Sequence, residues 1–339
     1  MNYLEEQIAF NKMISQSKKG NEYKKCFFMN CKNDVIKAHS IQNNKILNKI
    51  STNGKVLSVT PNISENKLKP DLKKVGRNKA STFTGFCNKH DTNLFKAIEL
   101  YDYEVGNQEQ EFLYAYRALA KEYHIKQTVK NMYEKKISLT DEELMEIQEY
   151  CGLTKKINRK QVQEIVKPLL KGTNESIEKL KDLKISININ LSKKRYHKIE
   201  SRVIKLKKEY YIAVSSLFYI LKDLKGNMVN NIKKFNNMKN TFLTIFPQNG
   251  CTYIIISFLK KHKNYFRFID KQIMNKEEEQ QKIIMSNMLG IYVENVFLSP
   301  ERWENMTERQ KNKYLKLLEM TMLDDPPYLL IDRNLNIFI

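Results

Sequence analysis

Two stretches decide how this chain is read: Cys26-Phe27-Phe28-Met29-Asn30-Cys31, with Ala38-His39-Ser40 close behind, and Phe86-Cys87-Asn88-Lys89-His90-Asp91. Zinc prefers four thiolate or imidazole ligands in a tetrahedron, and two closely spaced pairs brought together by folding supply them with little strain. Cys26 and Cys31 are placed on a turn. Cys87 and His90, three apart at the start of a helix, project from one side of its first turn, because Leu94, Phe95 and Ile98 behind them repeat at helical spacing. A Cys-x4-Cys pair with a Cys-x2-His pair predicts a treble-clef zinc site in residues 1–104, knuckle first and helix last. The alternative is that these are buried free thiols and an incidental imidazole; the neighbouring Lys24, Lys25, Lys32 and Lys89 make plain core burial awkward.

Working outward, three of the five cysteines and two of the five histidines lie in the first 90 residues, while Cys151 and Cys251 stand alone. An odd count and a start (Glu5, Glu6) with neither a basic nor an apolar leader argue against an export signal and a disulfide framework, so a cytoplasmic protein is expected. No apolar run reaches the roughly 18 to 20 residues of a membrane span. The 339 residues carry 59 basic and 38 acidic side chains, a net charge of +21, which attracts polyanions such as DNA or RNA. Part of that excess also follows from A/T-rich codons, which favour Lys, Asn and Ile.

Residues 55–59 read as a short strand and 60–79 as a basic, proline-containing loop whose Lys73, Lys74 and Arg77 would meet phosphates. Residues 105–183 read as a helical connecting region. A long helix starts near Glu111, and a capping box at Thr140 and Glu143 opens the next, which Gly152 closes. Two further helical segments, 161–170 and 175–183, are separated by Gly172-Thr173-Asn174, with Pro168 kinking or ending the first.

Residues 184–339 read as an α+β domain with an antiparallel sheet, and its role is open. Ile185, Ile187, Ile189 and Leu191 alternate with polar residues, the period of a half-buried strand. Further strands are expected at 210–217, 241–246 and 252–258, with Asn249-Gly250 as a turn. Helices follow at 276–289 and 308–323, the latter behind a Thr307/Gln310 capping box, and a short final strand at 334–339. Lys193, Lys194, Arg195 and Arg202 belong to the densest basic run, which either tracks phosphates or is a solvated helix. Tyr114, Tyr116, Arg117, Lys121 and Tyr123 are either a stacking platform for a single strand or core with a solvated face. Tyr292, Glu294 and Asn295 are candidate polar anchors. With ten glycines there is no glycine-rich phosphate loop, nucleophile elbow or dinucleotide fingerprint.

With four ligands assigned, His39 is left over. Over residues 24–99 the order Cys-Cys, His, Cys-His resembles the zinc-stapled branch of the HNH (ββα-metal) nucleases. The resemblance implies that His39 is a general base, that Asp91 binds a catalytic Mg²⁺ or Mn²⁺, and that an Asn orients the base, Asn78 being the nearest candidate and Asn53 and Asn93 the alternatives. The position before the base, commonly a second metal ligand in that family, is Ala38 here. The residues by themselves leave His39 open as a base, as a replacement for His90 at the zinc, or as a structural group. Residues 38–42, 80–87 and 91–99 also resemble bacterial proteins associated with anti-phage defence. The leading expectation is a metal-dependent nuclease, with the carboxyl-terminal domain supplying grip, regulation, homo-oligomerisation or a partner-protein surface. The rivals are a non-catalytic zinc-stabilised nucleic-acid binder or sensor, and a protein-interaction effector with incidental charge.

Overall fold

The computed structural model describes residues 3–64, 67–151, 156–323 and 326–339. Helix α1 (Tyr3–Lys18) leads through the knuckle loop to β1 (Val35–His39). The hairpin β2 (Lys55–Ser64) and β3 (Lys67–Gly76) precedes β4 (Thr82–Cys87), which runs directly into α2 (Asn88–Leu94). Long helices then dominate: α3 (Gln108–Ser138), α4 (Asp141–Cys151) and α5 (Arg159–Ser192). The rest comprises β5 (Ile199–Leu206), β6 (Ile212–Phe218), β7 (Thr241–Gln248), β8 (Cys251–Leu259), α6 (Glu278–Tyr292), β9 (Val296–Leu298) and α7 (Glu308–Leu323). The fold is α+β, as expected, with a helical middle and an antiparallel sheet towards the carboxyl end.

Among the described residues the sheet has the order β3-β2-β9-β6-β7-β8-β5, and β1 pairs separately with β4. Its central strands are buried on both faces. Phe242, Phe246, Tyr253 and Ile255 pack towards α3, α5 and the amino-terminal module. Leu243, Ile245, Ile254 and Ile256 pack towards α6 and α7. Two covered faces explain why these strands are almost continuously apolar, a pattern half-buried strands lack. Asn249 (φ 51°) and Gly250 (φ 76°) both occupy the left-handed region between β7 and β8, which a two-residue hairpin turn requires.

Several expectations are corrected. The alternation at 185–191 is the end of α5, not a strand. Its core-facing residues are Ile177, Leu180, Leu183, Ile187 and Leu191, a helical stripe, while Ile185 is 52% exposed. The interleaved isoleucines on the open face counterfeit a period of two. Helix α5 also runs unbroken through Pro168 and Gly172. Pro168 lies on the exposed face, where water can serve the carbonyl that lost its donor.

The basic loop at 60–79 is largely β-structure: β2 and β3 pair along their whole length, with Pro61 opposite Pro70. Strand β2 joins the sheet only through Leu57 and Ser58 against β9, so beyond Ser58 the hairpin is a two-stranded ribbon. Pro61 and Pro70 have no N–H to donate, and among the described residues no third strand there requires one. Glu65 of the expected loop and Gly152, expected to close α4, lie outside the described residues.

Residues 334–339 form no strand. Leu335, Ile337 and Phe338 are buried as an irregular plug, and the Ile337 N–H donates to Ser286 Oγ at 3.0 Å. Side chains have replaced a neighbouring strand as the backbone's partner.

Other local readings hold. Thr140 and Glu143 make reciprocal bonds of 3.2 and 2.9 Å at the start of α4. Thr307 Oγ1 accepts from the Gln310 N–H at 3.3 Å, but the Gln310 side chain donates to the Asn334 carbonyl instead. Helix α1 had no counterpart in the sequence reading.

One buried amide helps fasten the amino-terminal module to the long helices. Asn188 Oδ1 accepts from the Met29 N–H at 3.1 Å and from the Tyr116 hydroxyl at 3.0 Å, and its Nδ2 donates to the Lys184 carbonyl at 2.9 Å. Beside it Phe27, fully buried, meets Phe86, Tyr116 and Tyr123 edge-on. Asn188→Leu would leave the Met29 N–H and the Tyr116 hydroxyl buried without acceptors. At about 1–3 kcal/mol for each orphaned group, the expected loss is several kcal/mol, read as a lowered urea midpoint with an unchanged slope.

Candidate metal centre and the cluster behind it

The expected ligands come together. Sγ of Cys26, Cys31 and Cys87 and a ring nitrogen of His90 all lie within 4.8 Å of one another. Cys31 Sγ is 3.8 Å from Cys87 Sγ, and His90 Nδ1 is 3.4 Å from Cys26 Sγ and 3.3 Å from Cys87 Sγ. Tetrahedral zinc with Zn–S of about 2.3 Å and Zn–N of about 2.0–2.1 Å places sulfurs about 3.8 Å apart and sulfur from nitrogen about 3.6 Å apart. The donors fit that geometry. All five cysteines are free thiols.

Local structure builds each half of the site. The Cys31 N–H donates to the Phe28 carbonyl at 3.4 Å, tightening the knuckle, and the Phe28 ring stacks on His90 with centroids 4.1 Å apart. Cys87 is the last residue of β4 and His90 the third of α2, so the strand-to-helix turn aims both at the knuckle. The Phe27 N–H donates to the Gly85 carbonyl at 2.7 Å, fastening knuckle to β4. A Cβ on Gly85 would fall 1.9 Å from the Phe83 ring, so any larger residue here would have to displace that ring.

Burial pushes the Cys26 thiol up to about 12, against the lowering effect of the Cys87 and Phe28 N–H groups. Burial also opposes ionisation of Cys87, but the His90 N–H and the side chains of Cys31, Cys26 and Asn33 outweigh it and hold that thiol below its ordinary value. Burial and Lys89 lower His90, favouring the neutral imidazole that a metal needs.

His39, the last residue of β1, pairs with Thr82 of β4. It is not part of the thiol–imidazole group, so the metal quartet closes without it. Its ring is half-buried, and Nε2 is covered and has no hydrogen-bond partner. Burial lowers its pKa, with the Arg77 carbonyl raising it and Arg117 lowering it. The Asn78 side chain is engaged elsewhere: its Oδ1 accepts from Asn43 Nδ2 at 2.9 Å, and only its backbone lies beside the His39 ring.

Asp91 also presents a covered, unpartnered oxygen, Oδ1. Burial raises its pKa, Arg117 lowers it and Glu99 raises it. The same ion pair thus acts on His39 and Asp91: Arg117, 4% exposed, lies 2.6 Å from Glu99 and stacks 3.9 Å from the Phe95 ring centroid. Its Nε is a third buried atom without a partner. Buried polar atoms are nearly always satisfied, so three around one ion pair form an unusual cluster.

Arg117 belongs to the aromatic–basic stripe of α3, and no motif marks Glu99 in the sequence. Tyr114, Tyr116 and Tyr123 of that stripe are core, and Lys121 Nζ donates to the Ser81 and Thr82 carbonyls, both at 3.2 Å. Asn295 does act as an anchor, donating to Ser40 Oγ at 3.1 Å and to the Ser215 carbonyl at 2.6 Å.

The basic candidates are dispersed. Lys193, Lys194 and Arg195 are exposed at the turn between α5 and β5. Arg202 is held between Asp270 and Glu200, Lys74 lies 2.7 Å from Glu304, and Arg77 Nη1 donates to Asn43 Oδ1 at 3.1 Å. Lys73 is half-buried on β3. No helix among the described residues is long and apolar enough to cross a membrane. Comparisons with family models, curated proteins and solved structures return no match to this chain.

Proposed function

We propose that the chain is a metal-dependent nuclease whose zinc-stapled ββα head carries the hydrolytic site. The observation that supports this most is the placement of His39. It ends β1, lies across β4, and β4 continues through Cys87 into the helix bearing Asp91. Cys26, Cys31, Cys87 and His90 would hold a structural zinc, which would fix that strand-to-helix turn. Asp91 would hold a divalent cation, which would supply positive charge to the leaving oxygen.

His39, kept neutral by burial, takes a proton from water. The resulting hydroxide attacks phosphorus, the P–O bond to the leaving oxygen breaks, and that oxygen is protonated from solvent. The net charge of +21, with Lys193, Lys194 and Arg195 exposed, favours a phosphodiester polymer as substrate.

One observation favours a second reading. His39 Nε2 is covered, as a group serving the fold would be, and a non-catalytic, zinc-stapled nucleic-acid binder needs no open base. The test is incubation of purified wild-type protein with plasmid DNA and with RNA in Mg²⁺ or Mn²⁺. Metal-dependent cleavage supports the first reading. Salt-dependent binding without cleavage supports the second.

A further inference from the structure

A cavity of about 250 Å³ opens between α1, α3, α4 and α5, and none of its lining residues belongs to the metal quartet or to the cluster around His39. Its floor is a small core of its own, Leu139, Leu144, Val162 and Val166, separate from the two cores that flank the sheet. Met13 of α1, Met132 of α3 and Ile147 of α4 form the walls. At its edge Ile165 of α5 is 58% exposed, so apolar surface here is left open to water. Grooves between packed helices are a common setting for small-molecule sites.

The charge around this cavity is one-sided. Lys135 and Lys136, near the end of α3, both line it, and among the described residues no carboxylate does. Neither ammonium group forms an ion pair among those residues. Lys136 is half-buried, and that burial holds it below its ordinary pKa. The two buried polar side chains of the lining are turned to the backbone. Gln148 Nε2 donates to the Ile157 carbonyl at 3.1 Å, its Oε1 accepts from the Ile157 N–H at 2.7 Å, and Asn21 Nδ2 donates to the Ser17 carbonyl at 2.8 Å.

Those features select the chemistry of an occupant. A sugar or a base needs hydrogen-bonding groups along its length, and a mostly apolar wall whose buried amides serve the backbone would leave them unpaired. A chain of methylenes needs only the apolar wall. Its single charge must be negative and lie beside the two lysines, where a carboxylate accepts charge-assisted hydrogen bonds. The volume falls just under the roughly 300–1,000 Å³ of drug-sized sites, which suits a short chain.

We propose that this cavity binds a medium-chain fatty acid, its alkyl chain on the floor of Leu139, Leu144, Val162 and Val166 and its carboxylate at Lys135 and Lys136. The proposal is independent of hydrolysis at His39. Calorimetric titration of the full chain with hexanoate, octanoate and 1-octanol tests it. Octanoate should bind about tenfold more tightly than hexanoate, the effect of two more buried methylenes, and about threefold more tightly than 1-octanol, which has the same chain without the charge. The double variant Lys135→Gln, Lys136→Gln should erase the preference for octanoate over 1-octanol. Ser17→Phe, which fills the cavity from α1, should abolish binding of both. Both variants should keep the wild-type metal content and melting temperature. The proposal is overturned if octanoate does not bind at millimolar concentration, if hexanoate and octanoate bind alike, if 1-octanol matches octanoate, or if the folded variants bind octanoate as wild type does. It is overturned equally if light scattering finds a dimer that octanoate leaves intact and Ile165→Asp splits, which gives the cavity to a second copy of the chain.

Discussion

Cys87→Ala should yield a protein without zinc whose amino-terminal module no longer holds its structure, while the sheet built on β7 and β8 survives. Cys87 is 1% exposed, and a metal held by the quartet would join the end of β4 to the knuckle through it. Structural zinc contributes roughly 10–16 kcal/mol of binding free energy in small zinc-folded peptides at neutral pH, and bound here it would stabilise the short β1–β4 pair. Two strands of five and six residues are too few to hold by themselves.

Elemental analysis should find one zinc per wild-type chain and none in the variant. Hydrogen exchange should show the amides of β1 and β4 losing protection while those of β7 and β8 keep it. Wild-type protein purified free of metal, and melting identically with and without a chelator, would sink the metal centre. Asn188→Leu separates zinc from packing, because it loosens the same module without touching a ligand.

His39→Ala should cost about 10²- to 10⁴-fold in cleavage rate, the range a positioned general base contributes, with zinc content and melting temperature close to wild type. Removing the ring also deletes the covered Nε2, so little stability should be lost with it. Since burial lowers the His39 pKa, its proton-accepting form persists below the ordinary histidine value of about 6.5. The acid limb of the rate profile should therefore lie below that value. Undiminished cleavage by a well-folded His39→Ala protein would refute the general-base role. Cleavage by neither protein, with salt-dependent binding by both, would move the function to nucleic-acid recognition.

The legible part of the site was the part that coordination chemistry writes locally. Cys26 with Cys31, and Cys87 with His90, are each close enough in the chain for one turn to orient both ligands, and the structure assembles all four. The helix under Thr140 and Glu143 was legible for the same reason, since its cap lies within four residues. Arg117 with Glu99 was not. An ion pair between buried Arg117, stacked on Phe95, and partly exposed Glu99 depends on where α3 lies against the module, and no local spacing records that. Asn188 was hidden likewise, read within a false strand because exposed Ile185 and Ile189 flank buried Ile187.

Residue types and short spacings by themselves determined the metal quartet, the helices α3 and α4, the β7–β8 hairpin and the strong positive charge. Only the tertiary structure decided that α5 absorbs residues 185–191, that the basic segment 60–79 becomes a ribbon on the sheet, and that His39, Asp91 and Arg117 each carry a covered, unpartnered atom. Local pattern specifies which conformations a segment can adopt. The choice among them falls to the surfaces that segment buries, and those belong to residues far away in the chain.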